Sequence, residues 1–186
     1  MKTTAVLAAI ALLAACGEEP AITETTETAE VRGLSTAQQR DLALARASTA
    51  RFHRFSVAYD DADYTLLFMD MCMDSPEGGM GFHYVNTDLL DAELDVRRPE
   101  ALMYEPGPDG QLRLVGLEYV VPQGDWTSPN PPRLFGRDFT PNQFGLWALH
   151  VWIWKHNPDT ENGIFADWNP NVSCANAAQV PHARAH

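Results

Sequence analysis

Three polar residues stand where apolar ones are expected. His83 lies in Gly81 to Val85 (GFHYV), Glu118 in Gln111 to Val121 (QLRLVGLEYVV), and His150 in Leu146 to Lys155 (LWALHVWIWK). Each stretch reads as a strand, so alternate residues share a face. On that count His83 shares a face with Gly81 and Val85. Glu118 shares one with Leu112, Leu114, Gly116 and Val120, and His150 with Leu146, Ala148, Trp152 and Trp154. A carboxylate in the middle of an apolar face must be paired, hydrogen-bonded or bound to a metal. Two imidazoles and one carboxylate suit Zn, Fe or Mn and leave coordination positions open. The same three groups could instead form a metal-free His–Glu–His hydrogen-bond network around a ligand pocket, or each could be satisfied locally. Tyr84 and Tyr119, next in sequence to two of them, are candidate neighbours that donate protons.

Other chemistry is sparse. There is no GxSxG, no HExxH and no phosphate loop, so no catalytic residue is assigned and an enzymatic role stays open. Asp159 and Asp167 sit in turn-like sequence and read as solvated. Met69, Met71 and Met73 would line one face of a strand, and thioethers favour Cu(I). Methionine is more commonly a core filler, which ranks copper below the harder metals.

The elements that must position these groups follow from pattern. Ser35-Thr36 can cap a helix, and Leu42, Ala45, Thr49, Phe52, Phe55 and Tyr59 recur at helical spacing, predicting one long helix from about Thr36 to Tyr59. Tyr64 to Cys72 reads as a strand, Ser75 to Gly79 as a turn and Asp88 to Asp95 as a short helical stretch. Glu100 to Glu105 and Gln111 to Val121 flank Pro106-Gly107-Pro108-Asp109-Gly110, a hairpin signal. Pro122 to Pro141 holds five prolines and reads as a long irregular loop. The class is α+β: a mostly antiparallel sheet, curled toward a half-barrel, against one long N-terminal helix.

The N-terminus gives an address. Met1-Lys2 precedes an apolar run, Ala5 to Ala15, that is too short to span a bilayer. Leu13-Ala14-Ala15-Cys16-Gly17 resembles the bacterial lipoprotein signal, which implies cleavage before Cys16 and lipid on its thiol and amino group. Residues 1–15 are then the signal and 16–33 a Glu/Thr-rich flexible tether. Residues 34–180 form one domain, and 181–186 a disordered tail. The expected location is the cell envelope, outside the cytoplasm, with the membrane as partner through the lipid. A net charge of −12, from 25 acidic and 13 basic residues, argues against nucleic acid. Three cysteines less Cys16 leave Cys72 and Cys174, and in an oxidising compartment two remaining cysteines usually pair. The competing reading, a thiolate metal ligand, lacks CxxC spacing.

Several segments together are similar to a family of uncharacterised secreted bacterial proteins. They are Gly79 to Asn86 (GMGFHYVN), Arg113 to Tyr119 (RLVGLEY), His150 to Trp154 (HVWIW) and Phe165 to Cys174 (FADWNPNVSC). Cys72, His83, Glu118, His150 and Cys174 all have counterparts in that pattern; Met69, Met71 and Met73 do not. The resemblance implies domain boundaries and a residue set, and implies no reaction.

The reading that results is a lipid-anchored envelope domain binding a small ligand or metal at His83, Glu118 and His150. Its alternatives are a metal-dependent oxygenase or hydrolase using the same residues, and a structural lipoprotein with the Pro122–Pro141 loop as its contact surface.

Overall fold

The computed structural model describes residues 33–180. The signal, Cys16, nearly all of the tether and the tail lie outside them. No helix among the described residues is long and apolar enough to cross a membrane.

Helix α1 (Thr36–Thr49) starts at a capping box, in which the Ser35 hydroxyl accepts from Gln38 N–H and the Gln38 side chain accepts from Ser35 N–H. Leu42, Ala45 and Thr49 are its buried stripe. The helical run does not continue unbroken to Tyr59. A 3-10 turn (Ala50–His53) follows, Arg54 is extended, and α2 (Phe55–Asp61) resumes. A competing acceptor contact lies at this break: the Tyr104 hydroxyl donates to the Phe52 carbonyl at 2.8 Å. The break lets Phe52 pack on Tyr64 while Phe55 packs on Tyr84 and Tyr104.

The strands are β1 (Leu66–Leu67), β2 (Met73–Ser75), β3 (Gly78–Val85), β4 (Ala101–Pro106), β5 (Leu112–Pro122), β6 (Arg133–Leu134), β7 (Arg137–Asp138), β8 (Thr140–Pro141) and β9 (Leu146–Val151). The main sheet is antiparallel and open, in the order β1-β3-β4-β5-β9-β8, with β2 paired to β3. The fold is α+β, and the sheet does not close into a barrel. The helices cover the face that carries Tyr84, Leu102, Tyr104, Leu117 and Tyr119.

Three local expectations are corrected. Tyr64 to Cys72 is not one strand: after β1 the chain turns through a 3-10 segment (Phe68–Asp70), with Met69 and Asp70 at positive φ, so the methionines do not line a strand face. Asp88 to Asp95 is not helical; a 3-10 turn at Thr87–Leu89 is capped by Asn86, and the chain then loops. The Pro122–Pro141 loop contains the β6–β7 hairpin. Its turn residues Phe135 and Gly136 have φ of 51° and 67°, a hairpin turn that ordinarily selects Asn-Gly. Phe135 adopts this costly conformation because its ring is buried against Tyr119 and Phe165, while its carbonyl accepts from the Gln38 amide.

Cys72 and Cys174 form a disulfide across 102 residues of sequence. Near it, Asn169 bridges to Gly79 in both directions through backbone hydrogen bonds, which ties the C-terminal segment to β3.

Candidate metal centre

Sheet register places the three polar groups. In one row Val85, Ala101, Glu118 and His150 are opposed in turn across β3, β4, β5 and β9. In the next row His83 opposes Met103, and Met103 opposes Gly116. Directly opposed residues share a face, so His83, Glu118 and His150 project from the same side, the one away from the helices. His83 and Glu118 meet diagonally across β4, over Ala101 and beside Met103, whose side chain lies toward Gly116. Ala101 carries only a methyl group. Gly116 carries none, and a Cβ there would sit 2.5 Å from Met103 Cε and 3.0 Å from Trp152 Cε3.

The face was only partly predictable. Tyr104 opposes Leu114 while Met103 opposes Gly116, so Val115 is an extra residue on β5. This bulge moves Leu112 and Leu114 to the helix face. Glu118 therefore keeps Gly116 and Val120 as face neighbours and loses the two leucines that simple alternation assigned to it. Trp154 also departs: β9 ends at Val151, and the Trp154 ring packs edge-on against His53.

The side chains converge. His150 Nε2 is 3.4 Å from Glu118 Oε1, and His83 Nε2 is 3.7 Å from Glu118 Oε2. One ligand atom from each of the three lies within 4.8 Å of the others. The histidine side chains are 3% and 7% exposed and that of Glu118 is 14% exposed, so the carboxylate marks the approach from solvent. Both contacts are longer than ordinary hydrogen bonds. His150 Nε2, which faces Glu118, is buried without a hydrogen-bond partner among the described residues. Good N–H···O bonds are about 2.7–3.2 Å long, whereas two ligands about 2.0–2.1 Å from a common ion at a tetrahedral angle are about 3.4 Å apart. The three groups could therefore hold a metal ion.

Tyr84 and Tyr119 are not brought to this centre. Each is next in sequence to a site residue and so points to the other face. Tyr84 packs on Phe55, and the Tyr119 hydroxyl donates to the Val96 carbonyl at 2.7 Å.

Two residues outside the sequence-derived set matter here. Asp167 approaches His150 from outside, with Oδ1 3.8 Å from Nδ1. It is held there by Trp152, which lies nearly parallel to His150 and donates its indole N–H to the Ala166 carbonyl at 2.7 Å. Nothing in a turn-like FADWNP segment separates such an aspartate from a solvated one. Glu100 is 2% exposed, and one of its oxygens accepts from Val120 N–H at 2.8 Å. Its sequence signal was weak, because it lies at a strand start where carboxylates are usually solvated.

Electrostatics distinguish the two histidines. Burial holds the His83 imidazole below its ordinary pKa, against the pull of Glu118. Burial pushes His150 the same way, but Asp167 and Glu118 outweigh it and raise its pKa. Asp167 is in turn lowered by His150. Burial pushes the Glu100 carboxyl up to about 8.

Compared with known proteins, the chain matches no family model, no curated protein and no solved structure.

Proposed function

We propose that this protein is a metal-binding domain of the bacterial cell envelope, held at the membrane by lipid on Cys16, with His83, Glu118 and His150 as the ligands of one divalent ion. The observation that carries the metal reading is the spacing of the three groups. They stand at ligand-to-ligand distances around a common point, and His150 Nε2, which faces Glu118, is buried without a hydrogen-bond partner among the described residues. Two neutral imidazoles and a carboxylate are borderline-to-hard donors, which selects Zn, Fe or Mn over Cu(I). Asp167 beside His150 Nδ1 supports the assignment, because metal-bound histidines commonly give their second N–H to a carboxylate. The envelope location rests on the N-terminal sequence, and the Cys72–Cys174 disulfide is consistent with an oxidising compartment.

Catalysis is the second reading. Three protein ligands leave room for water or substrate on the ion, and Glu118 is partly open to solvent. A hydrolase or oxygenase built on this centre has to take its protons from groups other than Tyr84 and Tyr119, which face away. Elemental analysis of the purified protein tests the metal reading: about one bound ion per chain supports it, and background content in protein exposed to Zn, Fe and Mn refutes it.

A further inference from the structure

A cavity of about 440 Å3 opens beside the proposed metal centre, and none of the three ligands lines it. Its polar wall is formed by Arg133, Arg137, Thr140 and Asn162, and its apolar wall by Leu149 and the ring of Phe165. The volume falls in the range of small-molecule sites, and the lining is mainly polar with a small apolar wall.

The lining carries two guanidinium groups and two carboxylates, and only one Arg–Asp pair among them is in contact. Asp138 is paired with Arg133, whose guanidinium also donates to the Gly136 carbonyl. Asp167, the other carboxylate of the lining, is beside His150 Nδ1. Arg137 is left over. It is half-buried, and among the described residues its guanidinium has no ion pair or hydrogen bond, only the Phe165 ring beneath it at 5.2 Å. In a chain of net charge −12, a half-buried guanidinium without a carboxylate is anomalous. A guanidinium resting on a ring still presents its in-plane N–H groups at the edge, where they match the two oxygens of a carboxylate.

We propose that this cavity binds a small organic anion, a carboxylate on an apolar body, with Arg137 as the anchor and Phe165 and Leu149 against the body. The proposal stands apart from the metal reading, because the two sites share no ligand.

The test is binding of benzoate to the purified, isotope-labelled protein, followed by NMR. Benzyl alcohol and inorganic phosphate are run beside it, and the metal content of every sample is measured. Benzoate is expected to shift the Arg137 Nε–H, Phe165 and Leu149 resonances saturably. Benzyl alcohol, which lacks the charge, and phosphate, which lacks the body, are expected to bind at least about tenfold more weakly, the usual order for losing a charge-assisted pair. Arg137→Gln should weaken benzoate by a similar factor, Arg137→Lys by less, and both should keep the wild-type metal content. The proposal is overturned if benzoate gives no saturable shift, if benzyl alcohol or phosphate binds equally well, or if Arg137→Gln binds benzoate like wild type. Should Arg137→Gln not fold, the comparison of benzoate with benzyl alcohol on wild type still decides.

Discussion

Glu118 and His150 are opposed residues on neighbouring strands, and their side chains close to 3.4 Å, Oε1 to Nε2, on the sheet face away from the helices. The backbone ladder between β5 and β9 thus sets the first contact of the centre. The second contact, from His83, crosses β4 over Ala101 and past Met103, whose Cε lies over the bare Gly116. The centre is therefore as rigid as the sheet beneath it, which suits a site that must hold three ligands in place.

Gly116 tests that arrangement. Gly116→Ala places a methyl group against Met103 Cε and Trp152 Cε3. We expect a loss of about 1–3 kcal/mol in stability, the usual cost of overpacking. Metal affinity should fall as well, because Trp152 supports His150. Denaturant melts and metal titration of the variant check both. Wild-type values on both counts would show that the bare position is not needed.

Asp167 is expected to act on His150 rather than on the ion. Asp167→Asn should lower metal affinity about 10–100-fold, the usual effect of removing the carboxylate behind a ligating histidine. Its effect on stability should be small, since the side chain is 68% exposed. Competition with a chelator of known affinity measures the change. An unchanged affinity would return Asp167 to the solvated role that its sequence suggests.

Glu100 gives the fold a pH dependence of its own. Folded, it keeps its proton up to about 8; unfolded, it loses the proton near its ordinary value of about 4.3. Between those limits the native state binds more protons than the unfolded chain, so stability falls as pH rises and levels off above about 8. Glu100→Gln, which keeps the acceptor for Val120 N–H, should flatten that slope. Chemical denaturation of both proteins from pH 5 to 9 checks it. Equal slopes would mean that the carboxyl ionises normally.

The address is tested at Cys16. Cys16→Ser should move the protein from the membrane fraction to the soluble one, because the thiol is the proposed attachment point. A variant that stays with the membrane through a high-salt wash would contradict the lipid anchor.

Much of the site was legible in the sequence because strands impose a period of two. His83, Glu118 and His150 each interrupt an apolar face, and that signal does not depend on knowing the partner strand. The hairpin at Pro106 to Gly110 and the pairing of Cys72 with Cys174 were legible for similar reasons, turn chemistry and simple counting. What failed was set by tertiary contact. The bulge at Val115 has no marker in RLVGLEY, yet it reassigns Leu112 and Leu114. The helix breaks at Arg54, beside a Phe52 carbonyl that Tyr104, 52 residues away, engages. Phe135 enters a turn normally closed to it because its ring is needed in the core. Asp167 reaches His150 from a segment whose Ala166 carbonyl is held by the Trp152 indole, a contact the sequence does not mark.

The most direct test of the central claim is metal titration of wild type against Glu118→Gln, with elemental analysis and thermal melts on the same samples. A shared ion predicts about one equivalent of Zn, Fe or Mn on wild type and a melting temperature that rises with metal. For Glu118→Gln it predicts near-background content and no metal-dependent shift in melting. A wild-type protein that takes up no metal, or a Glu118→Gln variant that binds it equally well, would contradict the account.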